Sequence, residues 1–318
     1  MQLRDVEYIV KIADTQNFTI AAEQLFVSQS ALSQSIQRLE SELGVKLFNR
    51  GPNKVTLTYA GNIFYEESLQ ILALCSRIQS KMSDICEMKT GVLNVALPRT
   101  YMKVYVSKAV RKFRSQYPGI QLVFHELNSA RIEELCKKGL VDVGVICLPV
   151  SGNTLRTFPL FDEPVYLVLP HDHPFCSTLP EQIDNEYPIV DLAQFKDESF
   201  VILKGGQRLR YQALDLCKEA GFTPNVVYET VDLETTQEFV SSGMGISIIS
   251  ETIRHYHPND SVRYFRIATK NGEAYMRTMA AVYSNDTYSS KAAQEFIRIL
   301  KETCASLEYA SPYIDLYP

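Results

Sequence analysis

The chain has 318 residues, of which 46% are hydrophobic and 22% are charged. This composition is that of an ordinary globular protein, and it excludes a disordered or fibrous chain. The formal net charge of −5 at pH 7 excludes a uniformly basic nucleic-acid binder. Any DNA-binding surface must therefore be a local basic or polar face.

Three further features favour a cytoplasmic location. The N-terminus lacks the basic segment and apolar core of a secretory signal, and no run approaches the roughly 18 apolar residues of a membrane span. The seven cysteines are scattered without close pairs, which favours a reducing compartment. We therefore expect a cytoplasmic protein of two or three domains without membrane contact.

The N-terminal region has the apolar periodicity of helices. Apolar residues recur at steps of three and four from Leu3 to Ala13, and Gln16-Asn17 breaks the pattern, which predicts a first helix. Two more helices around a tight turn are predicted next, with Thr19 as the N-cap of the second and Ser28 as the N-cap of the third.

The third helix is predicted to have one apolar and one polar face. Four apolar residues spaced four, three and four apart would face the core before a stop at Gly44: Leu32, Ile36, Leu39 and Leu43. The opposite face carries Gln29, Ser30, Ser33, Gln34, Gln37 and Arg38, and no acid occurs from Gln24 to Leu39. Because Gln pairs well with an adenine edge and Ser can bond to several bases, this face suits the major groove of DNA.

A basic β-hairpin is predicted between Val45 and Thr58. Two short β-like runs flank Gly51-Pro52-Asn53, and the charged residues are Lys46, Arg50 and Lys54, without an acid. Such a hairpin would rest on phosphates as a wing. We assign residues 1–58 to a winged helix-turn-helix DNA-binding domain, whose predicted DNA contacts are Thr19, Ser28, Gln29, Ser30, Ser33, Gln34, Arg38, Arg50, Asn53 and Lys54.

Residues 59–88 predict one long linker helix. Phe64, Ile71, Cys75, Ile78, Met82 and Ile85 include a run at alternating steps of four and three, which is typical of a coiled-coil seam. At about 1.5 Å per residue the helix would be roughly 45 Å long, too long to bury against the small preceding domain. We expect it to pair with a second copy of itself.

Beyond Thr90-Gly91, β-rich runs alternate with amphipathic helices, which predicts an α/β region with largely parallel sheets. The loops around Pro164, residues 171–174 and residues 268–272 are candidates for two crossings between subdomains. Predicted strands are Leu93–Leu97, Ile120–Leu127, Val141–Leu148, Tyr166–Leu169, Phe200–Leu203, Val226–Thr230, Gly245–Ile249, Val262–Ile267 and Met279–Tyr283. Predicted helices lie near residues 104–116, 131–138, 207–220, 232–242 and 289–308.

The motifs of the N-terminal region together resemble the DNA-binding domain of LysR-type transcriptional regulators. The matching residues are Ala21-Ala22, Val27-Ser28-Gln29-Ser30-Ala31-Leu32-Ser33, Leu39-Glu40, Leu43-Gly44, Leu47-Phe48-Asn49-Arg50 and Leu57-Thr58-Tyr59-Ala60-Gly61. The resemblance is specific over residues 1 to about 65 and looser through residues 91–308. The alternative is an unrelated small helical bundle with chance Ala-Ala and Ser/Gln runs.

The resemblance implies a sequence-specific transcription regulator controlled by a small-molecule effector. The fold class is then α/β, with an α-rich winged helix-turn-helix followed by a two-lobed effector domain like a periplasmic binding protein. Lobe I would span residues 91–163 and 268–310, and lobe II residues 164–267. A dimer through the linker helix and a tetramer through the effector domains are implied, with an interrupted palindrome in double-stranded DNA and RNA polymerase as partners.

The resemblance also implies a ligand cleft between the lobes. Ligands bind at the carboxyl ends of parallel strands, where helix N-termini point at them. The residues at these positions are Thr100, Tyr101, Asn128, Ser129, Lys204 and Gln207. The hydroxyls of Thr100 and Ser129 are suited to hold a carboxylate or other anion, and the alternative is that both are plain helix caps.

Other chemistry is only weakly supported by the sequence. Gly243-Met-Gly245 lacks the third glycine of a dinucleotide loop, and the pairs His171/His173 and His255/His257 adjoin prolines in apparent loops. Cys147, at a strand end near the cleft, is the one candidate for a reactive thiol. We expect no cofactor, no metal and no enzymatic activity. A constitutive architectural DNA-binding protein and, less favoured, an enzyme built on the α/β region remain alternatives.

Overall fold

The computed structural model describes residues 1–51, 55–85, 90–183, 186–285 and 288–305. The N-terminal domain has three helices followed by an antiparallel hairpin, which confirms the winged helix-turn-helix. Its elements are α1 Leu3–Thr15, α2 Phe18–Gln24, α3 Gln29–Leu43, β1 Phe48–Arg50 and β2 Val55–Leu57.

One small hydrophobic core holds the three helices and the hairpin together. It contains Ile9 and Ile12 from α1, Ala21 and Ala22 from α2, and Leu32, Ile36 and Leu39 from α3, with Leu47 and Phe48. The predicted break after the first helix is confirmed, because Gln16 has a left-handed φ of 54°. Gly44 likewise ends α3 in the left-handed region.

Two predictions about these helices are wrong. Asn17, not Thr19, caps α2: its Oδ1 accepts hydrogen bonds from the backbone N–H groups of Thr19 at 2.8 Å and Ile20 at 3.2 Å. The helix begins two residues earlier than predicted, at Phe18, so the side-chain amide of Asn17 meets its free N–H groups. Leu43 is 40% exposed, because the earlier apolar residues of α3 already cover the core.

The buried carboxylate of Glu40 connects α3 to the hairpin. It accepts hydrogen bonds from the backbone N–H groups of Leu47 and Phe48 and from Lys46 Nζ. Burial alone would raise the pKa of Glu40, but these hydrogen bonds outweigh burial, and its pKa lies below the usual value. The carboxylate therefore stays ionised and holds the start of the hairpin against α3.

The linker helix α4 spans Tyr59–Ile85, and the predicted end at residue 88 lies outside the described residues. With 27 residues it is about 40 Å long. Thr58 Oγ1 accepts a hydrogen bond from Gly61 N–H at 2.9 Å. A Cβ on Gly61 would lie 2.0 Å from the Leu47 carbonyl oxygen, so this crossing of helix and hairpin requires glycine.

The remainder of the described chain forms an α/β region with two lobes, which we call lobe I and lobe II. Lobe I centres on Leu93, Phe113 and Phe296. Its elements are β3 Gly91–Leu97, α5 Arg99–Tyr101, a π-helical turn Met102–Val106, α6 Ser107–Gln116, β4 Ile120–Glu126, α7 Ser129–Lys137, β5 Val143–Cys147, the first part of β6 Leu155–Pro170, β12 Met276–Ser284 and α11 Lys291–Ala305.

Lobe II centres on Leu167, Phe200 and Phe265. Its elements are the second part of β6, β7 Ile189–Val190, β8 Ser199–Leu203, α8 Arg208–Glu219, β9 Asn225–Thr230, α9 Leu233–Ser241, β10 Ser247–Ser250, α10 Glu251–Tyr256 and β11 Val262–Ile267, with 3-10 helices at Pro174–Ser177 and Leu192–Phe195. The sequence did not predict β7, α10 or the 3-10 helices, which are short.

Strand β6 belongs to both lobes. Residues 155–164 pair with β12, whereas residues 165–170 pair with β10 and β11. The first crossing is therefore inside a continuous strand and not in a loop at Pro164. The second crossing lies between β11 and β12, as predicted, and residues 171–174 stay within lobe II.

The sheets are mixed and not largely parallel as predicted. β3 pairs in parallel with β4 and β5, and β8 pairs in parallel with β9. The strands at the crossings, β6 and β12, run antiparallel to each other and to their other partners. Alternation of strands and helices predicted the parallel pairs correctly, but it carried no signal for the antiparallel direction of the two strands that connect the lobes.

No helix within the described part of the chain is both long and apolar enough to cross a membrane.

Candidate nucleic-acid interface and ligand cleft

The first turn of α3 presents a polar surface to solvent. Ser28 caps the helix as predicted, with its hydroxyl accepting from Ala31 N–H at 3.2 Å. Gln29, Ser30 and Gln34 are exposed, and Ser33 is half-buried. The structure thus brings these predicted base-reading residues together on one helical face, at the half of the helix that enters a groove in this motif.

Arg38, on the same face, already has a partner within the domain. Its Nη2 lies 3.1 Å from Oδ1 of the buried Asp5 in α1, while the arginine side chain itself is 62% exposed. The ion pair fixes α3 against α1 and leaves part of the guanidinium open to solvent. Thr19 is also exposed, in the first turn of α2. No sequence pattern indicates the Arg38–Asp5 pair, because its members are far apart in the chain.

The hairpin is anchored where α1 ends. Val55 N–H donates to the Gln16 carbonyl at 3.1 Å, so β2 leans on the junction of α1 and α2. Arg50 is the last residue of β1. The Arg50 side chain and the residues Asn53 and Lys54 lie outside the described residues, so their phosphate contacts stay a prediction.

Phe26 is a feature of this domain that the sequence analysis missed. It lies in the turn between α2 and α3, has φ of 55° and is 96% exposed. A bulky side chain in the left-handed region is uncommon and costs conformational energy. No sequence signal identifies this residue, because glycine or asparagine is the usual mark of such a position.

A cleft of about 280 Å³ lies between the two lobes. It opens at the carboxyl ends of β3, β4 and β5 from lobe I and of β8, β9 and β10 from lobe II, where a ligand site is expected in this type of sheet. Its walls include Thr100, Tyr101, Glu126, Asn128, Ser129, Cys147, Gln207, Arg208, Asp232, Ser250 and Arg277.

Five of the six predicted ligand contacts line this cleft, and Lys204 does not. The Lys204 side chain is exposed, while its backbone N–H bonds to the Thr230 carbonyl; the chain leaves β8 there and turns outward. Neither Thr100 nor Ser129 is an N-cap residue. Asn128 caps α7 by accepting from Arg131 N–H at 3.0 Å, and Pro98 precedes α5. The alternative of plain helix caps is therefore wrong for both hydroxyls.

Tyr101 belongs to a buried ion-pair network at the back of the cleft. Its hydroxyl donates to Glu163 Oε1 at 2.7 Å, and Arg277 Nε donates to the same oxygen at 2.9 Å. The other carboxylate oxygen accepts from the backbone N–H of Thr252 at 3.0 Å. The network joins lobe I, both crossing strands and lobe II.

Charge states in this network follow from burial and pairing. Burial raises the pKa of Tyr101 well above its usual value, so the phenol stays protonated. Burial acts to lower the pKa of Arg277, but the neighbouring Glu163 outweighs it, and the pKa lies above its usual value. Sequence analysis missed Arg277 and Glu163, because they are separated by 114 positions and belong to no motif.

Two ion pairs connect the lobes at the rim of the cleft. Lys103 Nζ lies 2.7 Å from Glu234 Oε1, and Arg208 Nη2 lies 2.8 Å from Glu133 Oε2. Beside the second pair, Ala130 N–H donates to the Gly206 carbonyl at 3.3 Å. Gly206 has φ of 88°, and a Cβ there would lie 2.9 Å from the Asn128 amide. The lobes thus approach each other closely at the start of α8.

Cys147 lines the cleft but is not an activated thiol. Its Sγ accepts a hydrogen bond from Gln212 Nε2 at 3.3 Å, and burial raises its pKa. The thiol therefore stays protonated and poorly nucleophilic at neutral pH. The described residues contain no cluster of three or more His, Cys, Asp and Glu side chains that could hold a metal ion.

The glycine pair considered as a dinucleotide loop has a structural role. Gly243 follows α9 with φ of 73°, and a Cβ on Gly245 would lie 2.5 Å from the Ser199 carbonyl. The pair makes the turn before β10.

Comparison with known families gives matches over most of the chain. Residues 3–62 match the bacterial regulatory helix-turn-helix protein, lysR family, and residues 87–305 match the LysR substrate binding domain. The chain is 30% identical over 312 residues, 95% of each protein, to the uncharacterized HTH-type transcriptional regulator YcgK of Bacillus subtilis. It is 30% identical to the transcriptional dual regulator OxyR of Escherichia coli, over 78% of this chain and 79% of OxyR.

Solved structures show the same architecture along the whole chain. A cysteine-to-aspartate variant of full-length OxyR from Pseudomonas aeruginosa is 26% identical with a TM-score of 0.67, and the match covers 100% of this chain and 99% of that one. Full-length CbnR complexed with its target DNA is 20% identical with a TM-score of 0.66, covering 95% and 100%. At 20% identity, the match to CbnR shows a shared fold and nothing more.

Proposed function

Because the chain belongs to the LysR family of DNA-binding transcription regulators with an effector domain, we propose that it reads an interrupted palindrome through α3 and changes its DNA-bound state when a small molecule enters the cleft. The observation that carries the first part is the exposed, acid-free polar face at the capped N-terminal half of α3. That face has the donors and acceptors for base edges.

The linker helix supports self-association. Four large apolar side chains of α4 are between 47% and 52% exposed: Ile63, Leu74, Ile78 and Met82. An exposed apolar row on a helix about 40 Å long is typical of a helix that pairs with another. Two paired chains carry two DNA-binding domains related by symmetry, and hence two half-sites about one helical turn apart or a multiple of it.

Effector control is supported by the construction of the cleft. Residues from both lobes line it, and two crossing strands join the lobes, so a ligand that binds one lobe arrangement better shifts the population toward it. A near-complete reversal of a two-state equilibrium needs roughly 5.5 kcal/mol of differential binding. We propose that this shift alters the spacing of the DNA-binding domains in a dimer or tetramer.

Peroxide sensing is the second candidate, because several relatives at 28–30% identity are named hydrogen peroxide-inducible genes activators. Cys136, Cys147, Cys176, Cys217 and Cys304 are buried, and burial raises the pKa of each of these thiols. Reactive sensor thiols are accessible and have lowered pKa values. These observations favour a non-redox effector. Of the two other cysteines, Cys75 is half-buried and Cys86 lies outside the described residues.

We further propose that the protein acts in the cytoplasm, with DNA, the effector and RNA polymerase as partners and without a cofactor. A constitutive architectural protein would share the DNA contacts but have no use for a cleft between two lobes.

The test is a footprint of the purified protein on DNA upstream of its own gene and the neighbouring divergent gene, with and without pooled metabolites and with hydrogen peroxide. We expect a protected interrupted palindrome whose length changes with one metabolite pool and not with peroxide. No protection at any salt concentration would refute DNA reading. A footprint that no pool changes would contradict effector control.

A further inference from the structure

Arg208 lies at the boundary between the cleft and a neighbouring cavity. It is the first residue of α8, a helix of 12 residues, and its side chain borders both spaces. One edge of the guanidinium is engaged, with Nη2 donating to Glu133 of lobe I at 2.8 Å. Another guanidinium nitrogen, Nε, is buried without a hydrogen-bond partner. A buried donor without a partner is costly, so Arg208 gains from an acceptor in the cleft.

Glu133 does not depend on Arg208. Its carboxylate also accepts from Lys137 Nζ at 2.7 Å and from the backbone N–H of Ser151 at 2.9 Å. Burial acts to raise the pKa of Glu133, but the Lys137 and Ser151 hydrogen bonds outweigh it and lower the pKa. One carboxylate is thus shared by two cations, and Arg208 can exchange it for another anion while Glu133 stays paired.

A second polar atom in the cleft also has no partner. Ser250, at the end of β10, is 1% exposed, lines the cleft, and has a buried Oγ without a hydrogen-bond partner. The N-termini of α7 and α8 reach the same cleft through Ser129 and Arg208. Helix N-termini favour negative charge. These groups offer donors for an anion from both lobes.

We propose that Arg208 binds an anionic group of the effector and that this group competes with Glu133 for the guanidinium, with Ser250 as a further donor. This rests on the proposed function and specifies the ligand class: a small molecule with a carboxylate or phosphate group. A cleft of about 280 Å³ is at the small end of ligand pockets, so the effector is of metabolite size.

The competition links the ligand to the linker helix. Glu133 belongs to α7, and two residues of this region contact the linker helix. Arg131 of α7 has its Nη2 3.4 Å from Tyr65 Oη. Lys138, which directly follows α7, has its Nζ 2.6 Å from Glu66 Oε2. Tyr65 in turn donates to Asp14 of the DNA-binding domain at 2.8 Å. Loss of the Arg208–Glu133 pair therefore removes one lobe II contact from a helix that also contacts the linker.

The test is calorimetric titration of the full-length protein with sodium acetate, succinate, benzoate and inorganic phosphate at constant ionic strength, with chloride as the blank. We expect saturable binding of a carboxylate or of phosphate, which identifies the group. Arg208→Gln weakens this binding at least about tenfold, Arg208→Lys weakens it less, and Ser250→Ala weakens it severalfold. Glu133→Gln tightens it severalfold, because the competitor is gone.

Arg210→Gln is the matched control. Arg210 is on the same helix, has the same 20% side-chain exposure as Arg208, and pairs with Glu229 away from the cleft. Its loss leaves anion binding unchanged. Absence of saturable anion binding in the wild type, or equal losses in the Arg208, Glu133 and Arg210 variants, overturns the proposal. Footprints of the same preparations separate this result from a failure of DNA binding.

Discussion

The DNA-binding domain and the ligand cleft differ in how their functional residues are distributed along the chain. The polar face of α3 comes from residues within one helix, and one serine cap sets its start. The cleft combines the ends of six strands, and its central contact joins Glu163 to an arginine 114 positions away. A function carried by local contacts can be altered one residue at a time, whereas the cleft depends on pairs that must be altered together.

The largest expected effect concerns the buried Glu163–Arg277 pair, whose members are far apart in the chain. Glu163→Gln leaves Arg277 buried without a countercharge, and we expect a loss of roughly 3–5 kcal/mol in the free energy of unfolding. Urea denaturation measures it. Glu302→Gln, which removes an exposed carboxylate shared by Lys112 and Arg298, is the control and should cost far less, because exposed ion pairs contribute little to stability. Similar losses in both variants would show that the buried network has no special role.

The next effect concerns local reading by α3. Gln34→Ala should weaken binding to the cognate site by about 1–3 kcal/mol and leave binding to random DNA nearly unchanged. Fluorescence anisotropy with both duplexes at one salt concentration measures the difference. Equal losses on the two duplexes would remove Gln34 from the base-reading contacts.

The wing, unlike α3, should contribute equally to the binding of cognate and random DNA. Arg50→Ala is expected to weaken binding to cognate and random DNA alike, and to reduce the slope of log affinity against log salt by about 0.9, the value for one phosphate contact. A salt titration from low to physiological ionic strength gives the slope. An unchanged slope would exclude Arg50 from the phosphate contacts.

The corrected cap of α2 gives a stability test. Asn17→Ala removes the acceptor for two backbone N–H groups and should cost about 1 kcal/mol, whereas Thr19→Ala should cost less because Thr19 does not cap. Thermal unfolding of the two variants compares them. A larger loss for Thr19→Ala would restore Thr19 as the capping residue.

The smallest expected effect is a gain. Phe26→Asn should raise the free energy of unfolding by up to about 1 kcal/mol, because Asn tolerates the left-handed conformation better than Phe and the exposed ring has little packing to lose. Leu43→Asn, at a partly exposed residue of α3 without a positive φ, is the control. A lower melting temperature for Phe26→Asn would mean that the ring makes contacts that its exposure does not indicate.

The same contrast explains what could be predicted from the sequence. Apolar spacing predicted α1, α3 and the linker helix. The cleft implied by the family resemblance, placed at the predicted strand ends, contains five of the six residues assigned to it. The pairs Arg38–Asp5, Glu163–Arg277 and Arg208–Glu133 join residues far apart in the chain, so spacing carries no information about them. The prediction that Lys204 lines the cleft was wrong, because the direction of a side chain after a strand cannot be read from the neighbouring residues.

The most direct test of effector control measures the bend of operator DNA during titration with the active metabolite. Energy transfer between dyes at the two duplex ends should change in a saturable manner. A Thr100→Val, Ser129→Ala variant should shift the midpoint to higher metabolite concentration without changing DNA affinity. A bend that does not respond to metabolite, or a midpoint unaffected by this variant, would contradict control of the DNA-bound state through the cleft.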